Sequence, residues 1–183
     1  MGAPARSLAA VLARHERNMI TDCLRSMRRT VAYVRACVAD LTDADIVVQP
    51  NGAPNHPAWT LGHLIYSWQA LIQELEGRAW LPDDWESFFG YGSSPRDIGS
   101  SRYSSKALLL GSLDDAANRI QTVLEALTDA QLQRPLNDEE SQEIFATNGD
   151  ALVQVLVAHS AFHAGQLAAW RRALGRKSVA VFV

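Results

Sequence analysis

Two histidines one helical turn apart, His159 and His163, lie in the last long amphipathic stretch of the chain, DALVQVLVAHSAFHAGQLAAWRRAL, which reads as a helix from Asp150 to Leu174. At about 100° per residue, Val155, Leu156, His159, His163, Gln166, Leu167 and Trp170 share roughly a third of the circumference, so both imidazoles sit in a stripe that reads as buried. Successive turns bring side chains at i and i+4 to one point, where two imidazoles can hold one metal ion. Two core histidines satisfied by hydrogen bonds are the competing reading. Gln166 continues the same face one turn on, either as a hydrogen-bond partner behind a metal ligand or as a contact between helices.

A third imidazole is available on another helix. His63 stands in TLGHLIYSWQALIQELE (Thr60 to Glu76), where Tyr66 is the only other ionisable side chain before Ile72. Of the other histidines, His15 falls on a charged part of the first helix and His56 in a turn ahead of Pro57. His63, His159 and His163 thus make a possible three-nitrogen set, and three protein ligands with an open fourth position suit a catalytic Zn²⁺ or a related ion such as Ni²⁺. Such an ion lowers the pKa of a bound water or activates a thiolate. Periodicity does not by itself bring His63 to the pair. Leu61, Leu64, Ile65, Trp68, Ile72 and Leu75 form the densest stripe, and His63 lies opposite it with Ser67 and Ala70, whose small side chains leave room for a cavity. Glu74 shares that face, either behind a ligand or solvated.

The elements that must position these residues are four long amphipathic segments with no strand pattern between them, which makes an all-α four-helix bundle the expected fold. The first runs from Ser7 to Ala39, with Leu8, Leu12, Met19, Cys23, Met27, Val31 and Val34 on one arc and Arg6, Arg14, Arg17, Arg25, Arg28 and Arg35 on the adjoining one. The third runs from Lys106 to Leu127. LTDADIVVQP after the first helix recurs as LTDAQLQRPL after the third, each with Thr placed to cap a short turn and Pro to end it, which suggests two duplicated helical hairpins. Gly77 to Ser105 is long for a bundle connection and holds Trp80, Trp85, Phe88, Phe89, Tyr91 and Tyr103. It reads either as a lid or pocket wall or as an aromatic plug, with Asp83 or Asp84 capping a short helix through Phe89. The acidic stretch DEESQE reads as a loop with a short helical turn, and the terminal SVAVFV as a β-prone tail that packs back or supports a subunit interface.

Composition excludes several classes. The 183 residues fit a single domain covering the whole chain, 48% hydrophobic and 20% charged, with a net charge of −3 that gives no general attraction to nucleic acid or anionic membranes. The arginine stripe is the one argument for nucleic acid. It lacks interleaved aromatics, so a solvated or dimer-facing surface is expected instead. No membrane-length apolar run and no signal-peptide pattern occur, and a cytoplasmic protein is expected. Cys23 and Cys37, on one helix about 21 Å apart at 1.5 Å per residue, are expected to remain free thiols.

WTLGHL (Trp59 to Leu64) and HSAFHAGQL (His159 to Leu167) resemble the two histidine motifs of the DinB/YfiT-like superfamily of metal-dependent proteins. The resemblance spans the body of the chain, and the H-x-x-x-H-x-G-Q element is its most specific part. It implies an up-down-down-up bundle, often a homodimer, and a divalent metal held by His63, His159 and His163. Characterised relatives include transferases and isomerases that use low-molecular-weight thiols such as bacillithiol or mycothiol. The family commonly has a basic or polar residue after the last histidine, where this chain has Ala164. The expected function is therefore a divalent-metal enzyme, thiol-dependent or using a metal-activated water. The alternative is a non-catalytic dimeric bundle with a structural or vestigial histidine site.

Overall fold

A computed structural model of the chain describes residues 8–95 and 103–180, with side chains from residue 19 onward. Its long helices are α1 (Leu8–Val38), α2 (Pro57–Glu76), α4 (Lys106–Ala126) and a last helix built from α7 (Asn148–Val153), a π-helical turn (Gln154–His159) and α8 (Ser160–Ala173). Short helices α3 (Trp85–Phe89), α5 (Asp129–Leu132) and α6 (Glu139–Gln142) lie in the connections. Among the described residues there is no strand, and no helix is long and apolar enough to cross a membrane.

Side-chain pairs give the helix directions. Arg28 bonds Gln121 and Arg35 bonds Asp114, rising numbers on α1 against falling numbers on α4, so these two are antiparallel. Arg171 near the end of α8 reaches Cys37 and Asp40 at the end of α1, and Gly149 comes against Met19, so α1 and the last helix are parallel. Asn55 meets Gln166, Trp59 meets His163 and His63 meets His159, so α2 runs antiparallel to the last helix. The topology is up-down-down-up, as expected.

Periodic apolar positions make the core. Ile20, Cys23, Leu24, Met27, Val34, Cys37 and Val38 of α1 and Leu109, Leu113, Ala116, Ile120, Val123 and Leu124 of α4 are buried at helical spacing. Trp68 and Trp170 are fully buried with their indole N–H groups satisfied by Ser160 Oγ and the Val48 carbonyl. The repeated threonines act as expected. Thr128 forms a reciprocal capping box with Gln131, and Thr42 exchanges equivalent bonds with Asp45. The DEESQE stretch contains the short α6, and both cysteines are buried free thiols. Within the arginine stripe, Arg25, Arg28 and Arg35 are exposed and pair inside the chain with Asp22, Gln121 and Asp114, while the side chains of Arg6, Arg14 and Arg17 lie outside the described residues.

Two helix starts and one cap differ from expectation. Helix α2 starts at Pro57, three residues early, because His56 Nδ1 accepts the Trp59 N–H and acts as the N-cap while Pro57 takes the first helical position. It ends at Gly77, whose φ of 71° forms a left-handed cap bonded to Gln73. Asp84 precedes α3 without a side-chain capping bond. The last helix starts at Asn148, capped by Thr147, and is interrupted by the π turn. The tail contributes the half-buried Val179 to the core margin, and residues 181–183 lie outside the described residues.

Arg171 ties the end of the bundle together. Only 4% exposed, it donates to the Cys37 carbonyl, to both Asp40 oxygens and, from Nε and a terminal nitrogen, to the Lys177 carbonyl. The guanidinium in turn holds the Asp40 carboxyl below its ordinary range. Arg171→Ala should lower stability by about 2–3 kcal/mol in urea denaturation, because the Cys37 carbonyl loses a charged donor in a buried position. Arg171→Lys should recover less than half, since an ammonium cannot span the same fork. A loss under about 1 kcal/mol would mean that water replaces the guanidinium.

Candidate metal centre

The antiparallel contact between α2 and the last helix brings His63, His159 and His163 together. His159 Nε2 lies 3.2 Å from His63 Nε2 and 3.1 Å from His163 Nε2, and the three ligand atoms lie within 4.8 Å of one another. His63 and His163 are buried and His159 is half-buried. His63 reaches the pair although it faces away from the leucine-rich stripe, because its side of α2 is covered by the connection that follows the helix. Trp59 Nε1 bonds Ser93, the Gly62 carbonyl accepts from Trp85 Nε1, Tyr66 donates to Glu86, and Gln69 Oε1 accepts from the amides of Trp80 and Leu81. Trp59, Gly62, His63, Tyr66 and Gln69 recur every three or four residues and form a second buried stripe. The described part of the long connection is thus a wall built against α2, and the rest, residues 96–102, lies outside the described residues.

Hydrogen bonds at the far ring nitrogens decide what the triad presents. His63 Nδ1 is 2.6 Å from the Phe89 carbonyl, which can only accept, so in the neutral ring Nδ1 carries the hydrogen and Nε2 a lone pair. His163 Nδ1 is 2.9 Å from Gln166 Oε1, and with the amide oxygen turned to the ring the same consequence follows. His159 Nε2 therefore faces two lone pairs and could donate to only one of them. Its own Nδ1 is buried without a partner. Protonation does not relieve the conflict readily. Burial lowers the pKa of His63, burial and then the neighbouring His63 push His159 down to about 4, and burial followed by His159 and His63 push His163 down to about 3.

These features fit a cation. Three imidazole nitrogens about 2.0–2.1 Å from one tetrahedral ion lie roughly 3.3 Å apart, close to the two observed separations, and neutral imidazole suits zinc and nickel alike. Around the triad, the Trp59 ring stacks on His63 at 4.5 Å and 11°. Tyr91, 66% exposed, stands edge-on to His63 at 5.6 Å, and Phe162, 61% exposed, edge-on to His163 at 5.2 Å.

The π turn ends at His159. In a widened turn the regular i to i+4 ladder is lost, and Ser160 Oγ donates to the Val155 carbonyl while accepting from Trp68 Nε1. Glu74, considered as an acceptor behind His63, instead bonds the amide of Asn137 and takes no part in the triad. His56 is a buried helix cap and also stays apart from the triad. Gln166 lies where expected. Asn55 and the Phe89 carbonyl were missed: the first stands in a turn far away in sequence, and the second is a backbone group with no residue signature.

Gly62 explains the close approach of α3. A Cβ there would come within 2.2–2.5 Å of the Phe89 ring. Gly62→Ala should lower Zn²⁺ affinity by roughly 10–100-fold in chelator competition, because displacing Phe89 removes the acceptor behind His63. Helix propensity alone favours alanine by about 1 kcal/mol, so a variant that binds normally and is more stable would show that Phe89 moves aside freely. A second expectation concerns pH. The folded-state pKa values of His159 and His163 are depressed, so their contribution to stability is complete above about pH 6.5 and is lost as pH falls towards their folded values of about 4 and 3. The urea midpoint of the metal-free protein should fall across that window, and His159→Ala/His163→Ala should flatten the profile. An unchanged slope would place the titrating groups elsewhere.

The sequence model of the DinB superfamily matches residues 26–167. No curated protein matches the chain. A solved structure described as a conserved protein from Enterococcus faecalis shares the fold, with a TM-score of 0.71 at 18% identity over 85% of this chain and 97% of that one.

Proposed function

The chain belongs to the DinB superfamily, and from that premise we propose that it is a divalent-metal-dependent enzyme in which His63, His159 and His163 bind Zn²⁺ or Ni²⁺. We further propose that it acts as a transferase or isomerase with a low-molecular-weight thiol as cosubstrate. The observation that carries the reading is the convergence of three imidazole Nε2 atoms, two of them with an oxygen acceptor facing Nδ1 behind the ring. A divalent ion held there supplies Lewis acidity that lowers the pKa of a thiol or water reaching it.

The chain's own residues prepare that position. Burial keeps the imidazoles neutral at physiological pH, so no proton has to leave before a cation binds. Phe89 and Gln166 orient His63 and His163, and Trp59 holds the His63 ring by stacking. Tyr91 and Phe162 place exposed aromatic surface beside the triad, suited to the apolar part of a small molecule. Much of the bundle core lies beyond the triad, in fully buried residues such as Leu113, Ile120 and Trp170.

Elemental mass spectrometry on untagged protein should find near-stoichiometric Zn or Ni. Each single His→Ala change should reduce affinity by more than the roughly 10–100-fold typical of groups behind the ligands. A variant with wild-type metal content would remove that histidine from the ligand set. Chelation should lower the melting temperature only modestly. Collapse of the fold on chelation would make the ion structural. Protein that takes up no ion on reconstitution would remove the chemistry altogether. With metal established, transfer of a thiol to small electrophiles is the activity to measure.

A further inference from the structure

Gln166 Oε1 lies 2.9 Å from His163 Nδ1 and also 2.9 Å from Asn55 Nδ2. One oxygen thus takes two donors. A primary amide has an accepting end and a donating end of nearly the same shape. With oxygen towards His163, Nδ1 keeps the hydrogen and Nε2 offers its lone pair to the triad. With NH₂ towards His163, Nδ1 must accept, the hydrogen moves to Nε2, and the lone pair that would meet a cation is lost. Shape alone does not choose between these orientations. With Asn55 donating through Nδ2, only the first satisfies both neighbours of the amide.

We infer that Asn55 is a positioning residue for His163: by donating to Gln166 Oε1 it holds the amide in the orientation that keeps His163 in its metal-binding tautomer. The inference rests on the reading of the triad as a metal site. Asn55 stands in the turn before α2, 111 positions from Gln166, and acts only through that amide. His63 needs no such device, because the Phe89 carbonyl has no donating alternative.

The test compares wild type with Asn55→Asp, Asn55→Ala, Gln166→Ala and the Asn55→Ala/Gln166→Ala double variant. Zn²⁺ and Co²⁺ affinities are measured by chelator competition. Imidazole tautomers in the metal-free proteins are read at neutral pH by long-range ¹H–¹⁵N correlation. Asn55→Asp keeps the shape but offers only acceptors, so Gln166 turns its NH₂ towards that position and towards His163. Zn²⁺ affinity should then fall by roughly 10–100-fold, although the added negative charge taken alone would strengthen cation binding. Asn55→Ala should weaken binding less, and the double variant should bind no more weakly than Gln166→Ala alone. His163 should carry its hydrogen on Nδ1 in the wild type and on Nε2 in Asn55→Asp, with the His63 signals unchanged as a control for intact folding. Wild-type or tighter Zn²⁺ binding by Asn55→Asp, or an unchanged His163 tautomer, would overturn the inference. A wild type that binds neither ion would overturn the metal reading, while the tautomer measurement would still decide the role of Asn55.

Discussion

Three imidazole nitrogens turned to one point, with two of them committed to presenting lone pairs, is an arrangement that protein groups alone do not satisfy. Hydrogen bonding among the three rings leaves at least one facing pair of lone pairs unrelieved. Burial opposes protonation, which would otherwise be the simplest remedy. The surrounding structure maintains this tension. The antiparallel crossing of α2 with the last helix sets the distances, the carbonyl of Phe89 fixes one ring, and the amide of Gln166 fixes another. A preorganised cluster of neutral acceptors in a partly desolvated place has its natural partner in a cation.

The connection between α2 and α4 is as much a part of this arrangement as the helices are. Its described part runs back along α2, and its contacts recur at the period of the helix, from Trp59 to Gln69. The contact at Gly62 sets how close it comes. With no side chain at that position, the Phe89 ring settles against the helix and its carbonyl reaches His63. The glycine in WTLGHL therefore belongs to the geometry of the site rather than to the flexibility of the helix. Local helix propensity is given up for a tertiary contact.

The long helices and the three histidines were legible because they depend on local periodicity and residue type. The apolar arcs of α1 and α4 are the arcs that became buried, and His159 and His163 are adjacent because a helix makes i and i+4 adjacent. His63 was legible as a candidate but not as a neighbour. What buries its face is a segment that returns to it after the helix has ended, and no pattern within α2 announces that. The start of α2 was misplaced because its cap is an imidazole, an uncommon choice beside Ser, Thr, Asp and Asn, although Pro57 marked the first helical position. The π turn escaped because a fixed rotation per residue has no place for a widened turn. Asn55 escaped because its partner stands on the far side of the chain in sequence.

The three histidines are held by different means, and the difference has a physical consequence. His63 is tied to a backbone carbonyl, whose role as acceptor no side-chain change can reverse. His163 is tied to a side-chain amide, whose orientation depends on a further donor. His159 has no hydrogen-bond partner behind its ring, and its placement comes from the π turn below it and from the rings of His63, His163 and Tyr91 around it. A ring placed by packing keeps more rotational freedom than one locked by a hydrogen bond. His159 is also the most exposed of the three and the one whose Nε2 lies within hydrogen-bonding distance of both others. The member of the set with no hydrogen bond behind its ring therefore sits on the open side, between two rings that are each held from behind.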